Sequence, residues 1–216
     1  MAAGTLSNPF PAWELEERLA YGSLPGIVAA EEQDPAELLK AFTVIHLDEE
    51  IRREALVRDW GAFLRFLQFA AIGSGQVLNY AAVSQETGIS QPTVKAYYQL
   101  LEDMFVGFRV PAYARSRRKN LLSTPKFFFD LGVRHAAAGL FPSPAMVQAN
   151  PGPFFEQWVG IELWKRLQYL GEGALCYQRS KDGAEVDFII ERADRLIPIE
   201  VKWTENPALQ DARHLL

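Results

Sequence analysis

The stretch AEVDFIIERADRLIPIEVKW, residues 184–203, decides how the end of this chain folds. Two short apolar runs flank the polar residues 192–195, a pattern typical of two strands joined by a turn. A symmetric turn places Glu191 opposite Leu196. The sequence therefore predicts an antiparallel hairpin with a defined pairing of residues.

This pairing determines which charged residues meet. It places Asp187 opposite Glu200 and Glu185 opposite Lys202. Because side chains alternate between the two faces of a strand, these four residues share one face and the other face is entirely apolar. The apolar face carries Val186, Phe188, Ile190, Ile197, Ile199 and Val201. A register that makes one whole face apolar is strongly favoured.

Asp187 and Glu200 form a like-charged pair across the predicted hairpin. Two carboxylates roughly 5 Å apart repel each other by about 3 kcal/mol at an effective dielectric constant of about 20. A divalent cation such as Mg²⁺ reverses this repulsion, because hard cations bind carboxylate oxygens. The alternative is a solvated sheet face whose charges have no role. Ile189 and Pro198 share the charged face, which favours a partly covered cleft over open water.

Length and composition predict an ordinary globular protein. The chain has 216 residues, enough for one large or two small domains. Its 49% hydrophobic and 23% charged residues exclude wholesale disorder. The net charge of −5 gives no global attraction to nucleic acid, so DNA binding requires a local basic patch.

The sequence predicts a cytoplasmic protein with no membrane association. Residues 1–19 lack a basic region followed by an apolar run, so no signal peptide is expected. The longest apolar stretches, such as residues 63–72, are too short and too interrupted to span a bilayer. The single cysteine, Cys176, allows no internal disulfide and fits a reducing compartment.

Four segments are expected along the chain: a helical, lid-like remnant at 1–58, a winged helix at 59–139, a proline-rich linker at 140–153, and a final domain at 154–216. In the first segment, a short helix is expected within residues 13–22. Asp34 and Pro35 begin a helix that runs to about Phe42, and a further helix is expected over 48–58.

The segment 59–139 has the pattern of a winged helix-turn-helix. A buried apolar helix begins near Trp60, and a short helix over about Tyr80–Thr87 stops at Gly88. Ser90 caps a third helix that reaches about Met104. Two strands, within 105–113 and 124–133, then flank a basic turn, so three helices are followed by a hairpin.

Two groups of side chains in this winged helix are candidates for DNA contact. The third helix would enter a major groove, and the basic turn would contact phosphates. The candidates are Gln91, Thr93 and Lys95 on the helix, and Arg115, Arg117, Arg118 and Lys119 on the turn. The alternative is a winged helix used for packing or protein interaction. Lys95 is the single cation that the helix offers, which argues against base-specific binding.

The final domain is predicted to run helix, strand, strand, strand. Its helix begins near Pro153 and ends at Gly171. At about 100° per residue, Glu156 falls on the apolar stripe that faces the sheet, whereas Glu162 lies on a solvated ion-pair face. Glu156 therefore either points toward the acidic hairpin or extends to water from an edge position. A last helix is expected near Pro207.

A helical Glu, a strand Asp and a Glu-x-Lys in the next strand resemble the PD-(D/E)XK nuclease superfamily. The matching residues are Glu156, Asp187, Glu200 and Lys202. The resemblance implies a catalytic site in which Asp187, Glu200 and Glu156 hold Mg²⁺ and Lys202 assists attack on a DNA phosphodiester. Glu185 matches no catalytic position of that superfamily.

Nearly the whole chain resembles the C-terminal half of a prokaryotic AAA+-type ATP-binding protein family, which carries a winged helix and a PD-(D/E)XK-like domain of unknown function. The matching segments, in family order, are GSLPGIV, RFLQFAAIGSGQVLNY, ISQPTVKAYYQLLEDMF, PKFFFDLGVRH, FFEQWVGIEL, GAEVDFII and IPIEVKW. This resemblance implies an α+β fold ending in an αβββ nuclease-like core, and the strand and helix that close that core in the family are missing from the sequence.

The resemblance also implies what this chain lacks and what it binds. No glycine is followed by lysine, so the phosphate loop of an ATPase is absent and no ATP site is expected. We expect DNA as a partner, together with a homo-oligomer or association with an ATPase half. Three hypotheses follow: a metal-dependent endonuclease, a non-catalytic DNA-binding or regulatory module, and an inactive remnant.

Overall fold

A computed structural model of the chain describes residues 13–30, 33–46, 49, 51, 57, 59–113, 124–179 and 185–208. The α-helices described within these residues are α1 (Leu15–Tyr21), α2 (Pro25–Val28), α3 (Pro35–Ala41), α4 (Trp60–Ile72), α5 (Tyr80–Thr87), α6 (Gln91–Asp103), α7 (Leu131–Ala137), α8 (Pro144–Ala149) and α9 (Pro151–Leu170). The strands are β1 (Gly107–Val110), β2 (Lys126–Phe129), β3 (Ala174–Arg179), β4 (Glu185–Glu191) and β5 (Leu196–Ile199). Helices with two small antiparallel sheets make the predicted α+β fold.

The first helices begin where the sequence predicts them. Asp34 caps α3 by accepting a hydrogen bond from the backbone amide of Ala36 at 2.9 Å, and Pro35 occupies the first turn. The helix then continues as a π-helical turn over Phe42–His46. Most of the helix expected over 48–58 lies outside the described residues.

Helices α4, α5 and α6 confirm the three helices predicted in the middle of the chain. The side chains of Asp59, Asn79 and Ser90 each accept a hydrogen bond from a backbone amide in the first turn. Gly88 ends α5 with a φ of 71°, a left-handed conformation that glycine adopts without strain. Two short helices joined by a glycine turn thus precede the first sheet.

Strands β1 and β2 pair antiparallel, and the basic turn between them lies outside the described residues. The prediction that the second strand continues through residues 130–133 is wrong. Asp130 ends the strand by accepting hydrogen bonds from the amides of Gly132 and Val133, at 3.0 and 3.4 Å. This cap starts α7, because a carboxylate satisfies the free amides of a helix N-terminus.

Residues 140–153, predicted as a linker, contain helix α8. Ser143 caps it by accepting a hydrogen bond from the amide of Met146 at 3.2 Å. Val147 is fully buried in the core. Helix α9 follows at once, beginning at Pro151, so this part of the chain packs as ordered structure.

The three-stranded sheet has the order β3-β4-β5, with both neighbours antiparallel. The predicted hairpin register is confirmed for the residue pairs nearest the turn, since Glu191 pairs with Leu196 and Phe188 pairs with Ile199. Strand β5 ends at Ile199, so the predicted pair of Asp187 and Glu200 lies one position beyond the last residue pair of the β4–β5 ladder.

The predicted strict alternation of β4 is wrong, because its phase shifts by one residue. Between the pairs Cys176–Ile189 and Gln178–Val186, β3 contributes Tyr177 alone, whereas β4 contributes Asp187 and Phe188. Two residues opposite one define a β-bulge. Val186 consequently packs with Cys176 and Ile189, not with Phe188.

One core cluster joins the two sheets. The ring centroids of Phe128 in β2 and Phe188 in β4 lie 6.0 Å apart. Phe108 of β1 stacks on Trp164 of α9, with ring centroids 4.2 Å apart. The backbone amide of Tyr177 also donates to Pro111 O at 3.0 Å. Strands β1 and β2 therefore share an apolar cluster with α9 and the three-stranded sheet. Among the described residues, no helix combines the length and apolarity needed to cross a membrane.

Gly160 allows the close contact between α9 and β4. A methyl group there would lie 2.6 Å from Cζ of Phe188, whose side chain is fully buried. We expect Gly160→Ala to lower the free energy of unfolding by about 1–3 kcal/mol, as overpacking does. Gly152→Ala, in the same helix with nothing within 4 Å, is the control and should be neutral or stabilising. Equal urea midpoints for the two variants would contradict this packing.

Buried His135 should make stability depend on pH. Its Nδ1 lies 2.9 Å from Ala20 O, and its buried Nε2 has no hydrogen-bond partner in the described part of the chain. Burial lowers the pKa of His135 to about 4. The unfolded chain takes up a proton below its ordinary pKa of about 6.5, so roughly 3 kcal/mol of stability should be lost between pH 6.5 and 4. In His135→Gln this component of the pH dependence should disappear, as urea unfolding across pH would reveal.

Candidate functional site

The candidate site lies where β5 stops beside the bulge of β4. The carboxylate of Asp187 accepts a hydrogen bond from the backbone amide of Val201 at 2.8 Å. This side-chain bond takes the place of a ladder bond just beyond Ile199, the last residue of β5. The arrangement fixes Asp187 next to the chain segment that carries Glu200 and Lys202.

Glu200 has one satisfied and one unsatisfied carboxylate oxygen. Its Oε1 accepts a hydrogen bond from Nζ of Lys202 at 2.6 Å. Its Oε2 is buried and has no hydrogen-bond partner among the residues that the structure describes. The side chain of Glu200 is only 12% exposed, whereas that of Lys202 is 44% exposed. A buried carboxylate oxygen without a partner is costly, so a cation or proton donor at this position would be stabilising.

Lys126, at the start of β2, forms the other half of the site. Its Nζ lies 2.5 Å from Oε1 of Glu185 and 3.6 Å from Oε1 of Glu156. It also lies 5.1 Å from the centroid of the Tyr177 ring. The side chain of Lys126 is 4% exposed, so this ammonium has been withdrawn from water and is held by its two carboxylate partners.

Two of these carboxyl groups have raised pKa values. Burial is the largest cause for Glu156, followed by repulsion from Asp187, which together outweigh the opposing effect of Lys126 on its pKa. The pKa of Asp187 is raised first by burial and then by Glu200, against the opposing hydrogen bond from Val201. Asp187 thus lies close enough to both glutamates to interact electrostatically with each.

The four residues predicted for the site lie in one region of the structure, but the described residues Asp187, Glu200 and Glu156 do not form the predicted three-carboxylate metal group. Asp187, Glu200 and Lys202 are adjacent, and Glu156 points from α9 toward the sheet rather than out to water. Glu162 pairs with Lys165 and Arg166, as predicted for a solvated ion-pair face. Within the part of the chain that the structure describes, no group of three His, Cys, Asp or Glu side chains is arranged to hold a metal ion.

The sequence prediction missed Lys126. Lys126 precedes Phe127, Phe128 and Phe129 in a strand that is buried throughout. The sequence predicts burial of the three phenylalanines, whereas a lysine is ordinarily expected to be exposed. Buried lysines require a carboxylate partner. A lysine directly preceding three consecutive phenylalanines was the signal that an acidic partner lay nearby.

The residues predicted to contact DNA are described only in part. Gln91 and Lys95 are exposed on α6, and Thr93 is half-buried, with its Oγ1 2.8 Å from Oγ of Ser90. Lys95 Nζ lies 5.4 Å from the centroid of the Tyr80 ring. Arg109 forms an ion pair with Glu102. The turn residues Arg115, Arg117, Arg118 and Lys119 lie outside the described residues.

Comparison with protein families assigns most of the chain to one of them. The model of DUF8612, a domain of unknown function, matches residues 12–144. The chain belongs to the DUF8612 family. The model of a second family, DUF4143, also a domain of unknown function, matches residues 151–216, which include α9 and the three-stranded sheet. The two matches meet close to the start of α9.

Three relatives are similar over most of the chain. An uncharacterized protein of Haemophilus influenzae is 27% identical over 189 residues, which cover 85% of this chain and 44% of the relative. Uncharacterized proteins of Mycobacterium bovis and Mycobacterium tuberculosis are each 23% identical over 192 residues, covering 88% of this chain and 43% of the relative. The chain spans less than half the length of these relatives. No solved structure matches it.

Replacing Lys126 tests whether it neutralises the acidic side of the site. Lys126→Met leaves Glu156 and Glu185 without their shared cation, so we expect a loss of about 2–4 kcal/mol in the free energy of unfolding. Arg166→Met removes an ion pair whose arginine is 71% exposed, and should cost less than about 0.5 kcal/mol. Chemical denaturation of both variants checks this. A Lys126→Met protein as stable as Arg166→Met would show that the pairing contributes nothing.

Proposed function

We propose that the chain carries a metal-dependent nuclease site that hydrolyses DNA phosphodiester bonds. One observation carries the proposal: Asp187 lies at the open end of β5 and within electrostatic range of Glu200, whose buried Oε2 has no hydrogen-bond partner among the described residues and whose Oε1 accepts from Lys202. A pair of acids held close together costs folding energy, which metal binding would recover.

The donor set suits Mg²⁺ at two carboxylates. Mg²⁺ commonly binds proteins through one or two carboxylates and keeps several waters. Asp187 and Glu200 supply such a pair, and Glu200 Oε2 is the orphaned oxygen. Glu156 fits less well as a direct ligand, since Lys126 lies 3.6 Å from its carboxylate, and contact through water is the more suitable role. When bound, Mg²⁺ supplies charge neutralisation and an activated water.

The chain's own residues would prepare the reaction in three ways. The backbone amide of Val201 holds Asp187 in one orientation. Lys202, half-exposed and attached to Glu200, would contact a nonbridging phosphate oxygen and stabilise the charge that develops there. Lys126 would keep Glu156 and Glu185 from adding further negative charge against the phosphate, because its ammonium neutralises part of theirs.

Delivery of DNA would fall to the three helices and hairpin upstream. The order α4, α5, α6, β1, β2 is that of a winged helix, with Gln91, Thr93 and Lys95 toward the start of α6. The predicted basic turn, with Arg115, Arg117, Arg118 and Lys119, would bind phosphates without reading sequence. Since the wing joins the sheet domain through Phe128 and Phe188, the duplex would be held in a fixed relation to the site.

A second candidate function is a non-catalytic DNA-binding or regulatory module. Lys126 and Lys202 favour it, because each forms an ion pair with a carboxylate of the site. The DUF4143 domain is associated with AAA-type ATPases. In this function the chain would pair with an ATPase half, and the nuclease-like fold would serve contact alone.

Cleavage assays discriminate the two functions. Full-length chain should nick supercoiled plasmid and cut oligonucleotides in Mg²⁺ or Mn²⁺ but not in EDTA. Asp187→Asn and Lys202→Ala should each lower the rate at least about 100-fold, as loss of a charge-stabilising group does. Glu162→Gln, on the opposite, solvated side of α9, is the control and should cut at the wild-type rate.

Each alternative result has a defined meaning. Cleavage that survives both site substitutions would refute the assignment of the site. Binding of DNA with no cleavage in either metal would favour the non-catalytic module.

A further inference from the structure

A cleft of about 380 Å³ adjoins the candidate site through Lys202. Its walls include the aromatic rings of Phe155 and Trp203 and the carboxylates of Glu16 and Glu205. This volume lies within the range of about 300–1,000 Å³ that small-molecule sites occupy. The residue that would contact the scissile phosphate therefore also lines a cavity of ligand size.

The aromatic wall of the cleft is packed against neighbouring rings yet accessible. Trp203 is 43% exposed, so part of its indole faces solvent. The ring of Phe155 meets it edge to face at 5.2 Å and itself stacks on Trp158 at 6.0 Å. An exposed aromatic face of this kind is what an unpaired nucleobase stacks on, with little selectivity among bases.

The charges around the cleft suit a base rather than a phosphate. Glu16 and Glu205 would repel the phosphate backbone from the cleft itself. The same carboxylates can accept hydrogen bonds from the exocyclic amino groups of bases. Lys202 lies between the two environments, since it lines the cleft and donates to Glu200. A nucleotide whose phosphate lies at Lys202 would direct its base into the cleft.

We propose that this cleft binds an unpaired nucleobase next to the scissile phosphate, stacked on Trp203, so that DNA with an unpaired base at the cut, such as single-stranded DNA or a junction with a single-stranded end, is cleaved in preference to paired duplex. The inference rests on the proposed nuclease site and adds the substrate class. A fully paired duplex cannot offer a base to the cleft without unstacking it.

The test measures binding separately from cleavage. The Asp187→Asn chain, in EDTA, is titrated with a single-stranded oligonucleotide and with a blunt duplex of the same sequence. Adding Trp203→Ala should weaken single-strand binding about 5- to 100-fold, as loss of a base-stacking side chain does, and Trp203→Phe should restore most of it. Duplex binding should change less than about twofold. Tyr169→Ala removes another exposed aromatic, at the far end of α9, and should leave both affinities unchanged.

The possible outcomes separate this inference from the proposed function. Single-strand binding that is absent in the parent chain, or unaffected by Trp203→Ala, would overturn the base cleft even if the wild-type chain cleaves DNA. Selective loss in Trp203→Ala with no cleavage by wild type in Mg²⁺ or Mn²⁺ would support the cleft and refute the nuclease site. Equal loss on duplex and single strand would overturn the cleft as a base site.

Discussion

The site depends on one extra residue in β4. Asp187 and Phe188 together face Tyr177, so Phe188 enters the core while Asp187 turns toward Glu156 and the end of β5. Strict alternation would have separated these two neighbours onto opposite faces. The bulge therefore places a fully buried phenylalanine and a partly buried carboxylate, which are neighbours in sequence, on the same side of the sheet, toward α9. Phe188 packs the core there, and Asp187 belongs to the candidate site.

Lys126 neutralises part of the negative charge that the site gathers beside an apolar core. Glu156 and Glu185 come from the helix and the strand of the C-terminal domain, and the lysine that neutralises them comes from the upstream hairpin. Together with the contact between Phe128 and Phe188, this makes the upstream hairpin part of the site's support. The upstream hairpin therefore contacts the C-terminal domain both through an ion pair at Lys126 and through an apolar contact at Phe128.

Short-range sequence signals predicted the helix caps and the hairpin register, whereas contacts between distant segments determined the bulge and the pairing of Lys126. The caps at Asp34 and Ser90 and the register from Glu191 to Leu196 follow from short-range chemistry, so the sequence predicted them well. The bulge at Asp187 could not be predicted, since it depends on how β4 pairs with β3. The pairing of Lys126 likewise depends on a contact between distant segments. For Asp130, strand propensity in the preceding phenylalanines masked a helix cap.

The carboxylate pair of Asp187 and Glu200 is the centre of the functional argument, and a crystal structure grown with Mn²⁺ tests it most directly. We expect an anomalous difference peak within coordination distance of both carboxylates, with Lys126 still bonded to Glu185. A peak between Glu156 and Glu185 with Lys126 displaced, or no peak at any carboxylate of the site at millimolar Mn²⁺, would contradict the assignment.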